Sequence, residues 1–255
     1  MTARPQTVRR SSIITATKTL VLISGGNAGL GYEMVKKIAT EHPSTHHVLM
    51  GCRDTHKGET AVASMGAPKN VNPIQLDITS DESIDLCFKA IEQNFGKLDI
   101  LINNAGTAAR DLPPGKSLRQ VYDHCFSVNA TSAALLTEAM TPLLEKSKLP
   151  KVIFITSRLG SIARVLQPNS EFVPTPFYNS SKSAVNMLCA FYAKKHPDWK
   201  VNAVCPGMNA TGINDIEKTE ETDPNNGAIR AVQLVLDGPD GVTGTYSEKE
   251  GPLPW

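Results

Sequence analysis

The sequence lacks both the long apolar segments of membrane proteins and the cysteine spacings of disulfide or metal frameworks. No apolar run approaches the roughly 18 residues needed to cross a bilayer, so we predict no membrane association. The chain has 5 cysteines among 255 residues, and they are scattered without any Cys-x-x-Cys pair. This pattern favours reduced, mostly buried thiols in a cytoplasmic protein, and we predict no metal site.

An excess of charge of one sign is also missing. The 26 basic and 25 acidic side chains leave a formal net charge of +1, which gives no reason to expect binding to nucleic acid or to an anionic membrane. Hydrophobic residues make up 40% of the chain and charged residues 20%, as in a globular protein with a full core. The length is typical of one α/β domain.

The N-terminal segment differs in composition from the rest. Residues 1–18 are basic, rich in hydroxyl side chains and free of acidic residues. They contain no continuous apolar segment of the kind that a secretory signal needs. We predict that they form a disordered tail before a domain spanning 19–255; a mitochondrial transit peptide is the alternative.

Apolar segments and helical patterns alternate along the domain. Nearly all-apolar strands are covered on both faces, and their alternation with helices implies right-handed crossovers. The predicted fold class is therefore α/β: a single domain with a doubly wound, Rossmann-like parallel sheet flanked by helices. The predicted strands cover residues 19–24, 46–52, 71–79, 98–106, 151–157, 200–207 and 241–247.

Two details of this pattern can be tested. Residues 81–96 read as an amphipathic helix with an aspartate N-cap and a closing Gly96, and residues 118–147 as one long helix.

His42, His46 and His47 are close enough in sequence to raise a metal interpretation, but they fall on the side away from the expected ligand site. We predict a solvated loop there.

A glycine-rich turn follows the first strand. The segment SGGNAGLG places Gly25, Gly29 and Gly31 between a strand and a helix. Positions without a side chain let the backbone approach a pyrophosphate, while the helix N-terminus offers free N–H groups. A merely tight turn is the structural alternative. Since ligands of such sheets bind beyond the carboxyl ends of the strands, we predict a dinucleotide site here.

The end of the second strand discriminates between two dinucleotides. An NAD enzyme typically holds the adenosine ribose with an acidic residue at this position. Here Cys52 and Arg53 occur instead, and a guanidinium suits a 2′-phosphate. An exposed Arg53 paired with Asp54 is the alternative. We predict NADP(H), with NAD(H) less favoured. Asp77, after the third strand, could bind an adenine amino group or serve as a turn aspartate.

A tyrosine and a lysine lie four residues apart in YNSSKSAVN. On a helix Tyr178 and Lys182 share one face, and they follow the fifth strand, beside the expected cofactor site. Free phenol titrates near pH 10. A nearby ammonium lowers that pKa by roughly one to three units, towards the useful range for acid–base catalysis. Ser157 could then bond the same substrate oxygen, and Asn129 could hold a water or a backbone carbonyl.

Together these residues resemble the short-chain dehydrogenase/reductase family. The matching elements, in the family's order, are SGGNAGLG, LDIT, NNAG at 103–106, Asn129, Ser157, Tyr178-x-x-x-Lys182 and the Pro206-Gly207 pair. The resemblance implies a catalytic set of Asn129, Ser157, Tyr178 and Lys182. It implies that the cofactor is bound by Gly25, Asn27, Gly29, Leu30, Gly31, Arg53, Asp77, Ile78, Asn104, Ala105, Gly106, Tyr178, Lys182, Pro206, Gly207 and Thr211.

The resemblance also indicates a subgroup. The ending GTYSEKEGPLPW is similar to carbonyl-reductase-like members, which mostly reduce small ketones or aldehydes with NADPH. A cyclase or isomerase on the same fold, or a non-catalytic NADP(H) sensor, are the alternatives. Family members often form dimers or tetramers, but monomers occur, so the oligomeric state stays open.

Two features depart from the family pattern. The segment between Ser157 and Tyr178 is twenty residues long, more than is usual, and we predict that it covers the substrate. Arg158 directly after the serine is also unusual; it could contact an acidic substrate or a neighbouring carboxylate, and we favour the carboxylate. The polar segment after Thr211 is predicted to act as a lid.

Overall fold

The computed structural model describes residues 18–169 and 173–255. Eight strands in this part of the chain form one sheet in the order β3-β2-β1-β4-β5-β6-β7-β8. All neighbouring pairs are parallel except β7 and β8, which are antiparallel. The strands are β1 (Thr19–Ser24), β2 (His46–Cys52), β3 (Val71–Gln75), β4 (Ile100–Asn103), β5 (Lys151–Ile155), β6 (Lys200–Val204), β7 (Thr245–Glu248) and β8 (Gly251–Pro252).

Helices cover both faces of the sheet. Because side chains alternate along a strand, Leu20 and Leu22 of β1 enter one apolar cluster while Val21 and Ile23 enter the other. Helices α3, α5 and α7 pack on the first cluster, and α1, α2 and α8 on the second. The helices are α1 (Gly29–Glu41), α2 (Thr55–Ser64), α3 (Asp81–Phe95), α4 (Leu118–Phe126), α5 (Ser132–Leu144), α6 (Ile162–Val165), α7 (Pro176–Lys195) and α8 (Pro224–Leu236).

The predicted doubly wound α/β fold is confirmed, with local corrections. The N-cap of α3 is Ser80, whose hydroxyl accepts from Ser83 N, and Asp81 lies inside the first turn. The predicted long helix is divided by a π-helical segment, Ser127–Thr131, between α4 and α5. The short edge strand β8 was not predicted, because two residues carry no alternation pattern. The predicted N-terminal tail lies almost entirely outside the described residues.

The prediction of a solvated histidine loop is wrong for two of the three residues. His46 and His47 are the first residues of β2, and His46 is only 8% exposed. Thr45 Oγ1 lies 2.8 Å from His46 Nδ1, and Asn72 Oδ1 lies 2.8 Å from His47 Nε2. Burial lowers the pKa of His46 to about 4, so this imidazole is neutral at physiological pH. These histidines are structural.

Candidate active site

The predicted site residues collect at one edge of the sheet. The carboxyl ends of parallel strands meet at the same edge, and strands β1 to β6 are all parallel. The glycine turn follows β1, Arg53 follows β2, Asp77 follows β3, Asn104 follows β4 and Ser157 follows β5. The fold therefore brings together side chains that are up to 130 positions apart in sequence.

The glycine turn has the geometry that close phosphate approach requires. Gly25 and Gly29 have positive φ angles of 64° and 51°, which favour glycine. A Cβ at Gly31 would lie 2.2 Å from Gly25 O, so no side chain fits there. Helix α1 starts at Gly29 without a side-chain cap, which leaves amide groups of its first turn to bind an anion.

Hydrogen bonds of Ser24 and Asn104 join the glycine turn to the end of β4. The Ser24 hydroxyl accepts hydrogen bonds from the amides of Asn104 and Ala105, both at 3.0 Å. Asn104 Nδ2 donates to Ser24 O at 2.8 Å and to Gly25 O at 3.3 Å. These bonds hold the end of β4 against the turn, whereas binding of the cofactor by Asn104, Ala105 and Gly106 stays a prediction. Ser24 was not among the predicted site residues.

The end of β2 exposes cationic side chains. Arg53 is exposed, and the Asp54 carboxylate accepts from the amides of His56 and Lys57 as the N-cap of α2. An Arg53–Asp54 ion pair is not found among the described residues. Lys57, which the sequence analysis missed, borders a cleft of about 330 Å³. The cleft is lined by Asn27, Tyr32, Lys57, Thr60, Ala61 and Ser64.

Asp77 already has local partners. Its Oδ1 accepts from Thr79 N at 2.9 Å and from Thr79 Oγ1 at 2.7 Å. This is the turn aspartate that the sequence left open as an alternative. Ile78 packs partly buried against the core, and Leu30 does so in the first turn of α1. Cofactor contacts of all three residues stay predictions.

Tyr178 and Ser157 meet as predicted. The Ser157 side chain is near enough to the Tyr178 phenol to lower its pKa, and both residues are partly buried. Desolvation raises the pKa of the Tyr178 phenol to about 12, although the Ser157 side chain opposes this rise. The prediction that Lys182 lowers this pKa is therefore wrong for the described structure. A phenol with this pKa is fully protonated at neutral pH, which suits a proton donor better than a proton acceptor.

Lys182 lies deep in the site. Its Nζ is 5.8 Å from the centroid of the Tyr178 ring and donates to Ile155 O at 3.0 Å. The residue is 4% exposed, and burial lowers its pKa from 10.5 to about 8. The ammonium thus stands near the tyrosine ring, one helical turn along α7, and is bonded to the end of β5.

Asn129 is held by backbone rather than facing an open cavity. It is 2% exposed and lies in the π-helical segment. Its Oδ1 accepts from Thr107 N at 2.7 Å, and its Nδ2 donates to Thr107 O and Ser181 Oγ, each at 2.9 Å. The inward orientation towards a backbone carbonyl is confirmed. The predicted water near Lys182 stays a prediction.

The loop after β6 reaches back over the glycine turn. A Cβ at Gly29 would lie 3.3 Å from Thr211 Cγ2, so two predicted cofactor-binding positions are neighbours. Asp215 of the same loop pairs with Arg110 from the loop after β4. Because β5 lies between β4 and β6 in the sheet, this ion pair links the loops that follow the two neighbours of β5. Closure of this loop over a substrate stays a prediction.

The segment after Ser157 begins with a 3-10 turn, Arg158–Gly160, followed by the short helix α6. Arg158 Nε donates to Glu248 Oε2 at 2.6 Å, so the favoured pairing with a neighbouring carboxylate is confirmed. Gly160 packs directly on α7: a Cβ there would lie 2.7 Å from the carbonyl carbon of Lys182. Residues 170–172 of this segment lie outside the described ranges, and its covering of a substrate stays a prediction.

We expect the buried charge of Lys182 to reduce the stability of the folded protein. Below pH 8 the folded state keeps a buried charge, which lowers the free energy of unfolding. Between about pH 8 and 10.5 the folded chain has released the proton and the unfolded chain still holds it, so the free energy of unfolding rises with pH. We expect Lys182→Met to raise the free energy of unfolding at pH 7 by about 2 kcal/mol, after allowing for the lost bond to Ile155. Urea unfolding at pH 7 and pH 10 would measure this gain and its decline.

Lys151→Met is the matched control for that measurement. Lys151 is equally buried at 4%, but its ammonium donates to the carbonyls of Leu234, Val235 and Asp237 at the end of α8. Its loss leaves these carbonyls unpaired and should lower the free energy of unfolding. Equal destabilisation by both variants would contradict the assignment of a strained charge to Lys182.

Comparison with known proteins identifies the family of the chain. The profile of the short chain dehydrogenase family matches residues 19–222. A short-chain dehydrogenase/reductase of Stachybotrys chlorohalonatus, ATR10, is 34% identical over 253 residues, covering 92% of this chain and 90% of that protein. A short-chain dehydrogenase of Penicillium roqueforti, anuI, is 39% identical over 182 residues, covering 68% and 71%.

Solved structures show the same fold. The NADPH-bound carbonyl reductase from chicken fatty liver has a TM-score of 0.81 at 21% identity, covering 93% of this chain and 99% of that chain. Salutaridine reductase from Papaver somniferum has a TM-score of 0.78 at 24% identity, covering 90% and 99%.

The fold and site together define an α/β oxidoreductase of the kind that binds a nicotinamide dinucleotide. The chain belongs to the short-chain dehydrogenase/reductase family. Enzymes of this family act on small-molecule substrates. No helix within residues 18–169 and 173–255 has the length and apolar character needed to span a membrane.

Proposed function

We propose that this protein is an NADPH-dependent carbonyl reductase that converts a ketone or aldehyde of a small organic molecule to an alcohol, with Tyr178 as the proton donor. The observation that carries the proposal is the meeting of Ser157, Tyr178 and Lys182 at the edge of the sheet that also carries the glycine turn. A protonated phenol bonded to a serine hydroxyl can bind a carbonyl oxygen and then protonate it.

The residues present fit a dinucleotide. The positive φ angles at Gly25 and Gly29 and the uncapped start of α1 leave backbone amides free for a pyrophosphate. When bound, the cofactor supplies the hydride that reduces the carbonyl carbon. Lys182 lies at the inner end of this site, where its ammonium would donate to the nicotinamide ribose hydroxyls. Pro206, Gly207 and Thr211 would border the nicotinamide.

The protein's own residues then handle the proton. Tyr178 donates its phenol proton to the carbonyl oxygen, which completes the alcohol and leaves a phenolate. The hydroxyl of Ser157 stabilises the developing negative charge on the oxygen, since its side chain opposes the rise in the pKa of the phenol. Asn129 bonds to the backbone of Thr107 and so holds the loop after β4 in place near Lys182. A proton from solvent restores the phenol.

The preference for NADPH is supported by the end of β2. Arg53 is exposed without a carboxylate partner among the described residues, and Lys57 borders the same cleft as Asn27. We expect Arg53→Ala to raise the Michaelis constant for NADPH about tenfold, with little change for NADH, because a charge-assisted bond to the 2′-phosphate is lost. Lys57→Ala should act in the same direction. Steady-state kinetics with both cofactors measures the effect.

Lys69→Ala controls for the loss of one positive charge, since exposed Lys69 lies before β3, at the opposite edge of the sheet. It should leave both Michaelis constants unchanged. Equal changes for NADPH and NADH in Arg53→Ala would remove Arg53 from the 2′-phosphate site.

A spectrophotometric screen tests the proposed activity. Consumption of NADPH over a broad panel of ketones and aldehydes should depend on the substrate and disappear in Tyr178→Phe. Tight dinucleotide binding without turnover of any carbonyl would instead favour a nucleotide sensor, and conversion of a substrate without net NADPH consumption would favour an isomerase or cyclase.

All five cysteines are free and buried, which supports our further proposal of a reducing, cytoplasmic location.

A further inference from the structure

The segment that carries Ser157 is fastened at several points to the β7–β8 hairpin and the residues after it. Tyr246 Oη donates to Ser157 O at 2.8 Å. Arg158 Nε donates to Glu248 Oε2 at 2.6 Å. Ser161 Oγ donates to Pro254 O at 2.6 Å, and Trp255 O accepts from Ala163 N at 3.0 Å. The contacts therefore begin at the catalytic serine itself and continue into α6.

Tyr246, in strand β7 of the hairpin, lies in the hydrophobic core. It is 2% exposed and is among the largest fully buried side chains. Its ring lies 5.4 Å from that of Trp255, and its carbonyl accepts from Leu253 N at 2.8 Å. A side chain so enclosed has little rotational freedom, so its hydroxyl is a fixed donor.

The position of the Ser157 side chain depends on this donor. Ser157 has extended backbone angles, and its Oγ accepts from Leu159 N at 3.2 Å while its carbonyl accepts from Gly160 N at 2.8 Å. The bond from Tyr246 meets the same carbonyl and orients the peptide plane between the serine and Arg158. The same bonds limit the movement of the Ser157 backbone, from which the serine hydroxyl extends.

We propose that Tyr246 is a positioning residue of the active site, which holds Ser157 at the correct distance from Tyr178, and that the Arg158–Glu248 ion pair supports the same segment. This inference rests on the proposed reductase function for its kinetic test. Tyr246 touches neither the substrate nor the cofactor in this role. It acts only through the peptide group of Ser157.

Tyr246→Phe tests the proposal, because it removes one hydroxyl and keeps the ring against Trp255. We expect kcat to fall about five- to tenfold, the equivalent of one neutral hydrogen bond, with the Michaelis constant for NADPH unchanged. The matched control is Tyr192→Phe: Tyr192 is also 2% exposed, and its hydroxyl bonds to Glu138 at 2.9 Å, away from the serine. Control and wild type should have the same kcat.

A double-mutant cycle separates positioning from general stability. If Tyr246 acts through the serine, then Tyr246→Phe should have almost no further effect on kcat in a Ser157→Ala background. An undiminished loss in that background, or equal kcat values for Tyr246→Phe and Tyr192→Phe, would overturn the proposal.

Hydrogen exchange provides a measurement that is independent of turnover. The amides of Leu159 and Gly160 bond within the fastened segment, so Tyr246→Phe should accelerate their exchange and Tyr192→Phe should not. If wild type reduces no carbonyl but this acceleration is seen, the proposed function fails while the fastening stands. Unchanged exchange in an active enzyme would remove Tyr246 from the role assigned to it.

Discussion

Replacing Tyr178 with phenylalanine should lower kcat for carbonyl reduction by about 10²- to 10⁴-fold, the usual contribution of a general acid. The substitution removes only the phenol hydroxyl, which is near the Ser157 side chain. Since the ring remains beside Lys182, we expect little change in the Michaelis constant for NADPH or in the free energy of unfolding. Stopped-flow absorbance at the nicotinamide band, with substrate and NADPH saturating, measures the chemical step directly.

The pKa of Tyr178 also predicts how carbonyl reduction and alcohol oxidation depend on pH. With a pKa near 12, the phenol is a proton donor across the neutral range, so the reductive rate should not depend on its ionisation there. Alcohol oxidation needs the phenolate and should rise with pH. Tyr192→Phe again serves as the control, and comparable reductive rates in wild type and Tyr178→Phe would refute the assigned role.

Replacing Gly31 with alanine should abolish dinucleotide binding and destabilise the fold by about 3 kcal/mol, at the upper end of overpacking effects. The added Cβ would lie 2.2 Å from Gly25 O and 2.6 Å from Asn104 Nδ2. The first contact is with backbone, so the turn itself must move, and Asn104 loses its bonds to Ser24 O and Gly25 O. Thermal unfolding and calorimetric titration with NADPH measure the two effects.

Gly238→Ala is the matched substitution. Gly238 has no heavy atom within 4 Å of an added Cβ, and it is not among the glycines with positive φ. Alanine there should be neutral or stabilise the protein by about 0.5 kcal/mol by restricting the unfolded chain. Tight NADPH binding by Gly31→Ala would show that the turn is not the pyrophosphate site.

Much of the frame was predictable because it depends on local patterns. Strands β1 and β2 have the predicted bounds, 19–24 and 46–52, since burial on both faces makes the centre of each strand continuously apolar. The boundaries of β3 to β6 were all overestimated at their carboxyl ends, and β4 and β7 begin later than predicted. At these carboxyl ends the chain leaves the sheet to form the site, while its side chains stay partly apolar and so resemble a strand.

The candidate site was predictable in its residue types and less so in its electrostatics. The spacing of Tyr178 and Lys182 placed them on one helix face, and the structure confirms that they are neighbours. The sign of the pKa shift at Tyr178 was wrong, because sequence spacing reveals a nearby charge but not how much solvent the fold removes. Lys57 was missed for a similar reason: its proximity to Asn27 arises only when α2 packs beside the glycine turn.

The sequence alone determined the alternation of strands and helices, the glycine turn and the spacing of Tyr178 and Lys182, because each depends on residues that are close together in the chain. The tertiary structure decided what surrounds them: the partner of Arg158, the support of Ser157 by Tyr246, and the solvation of the phenol and ammonium. These depend on contacts between residues as much as 90 positions apart, and long-range packing has no local signature in a chain.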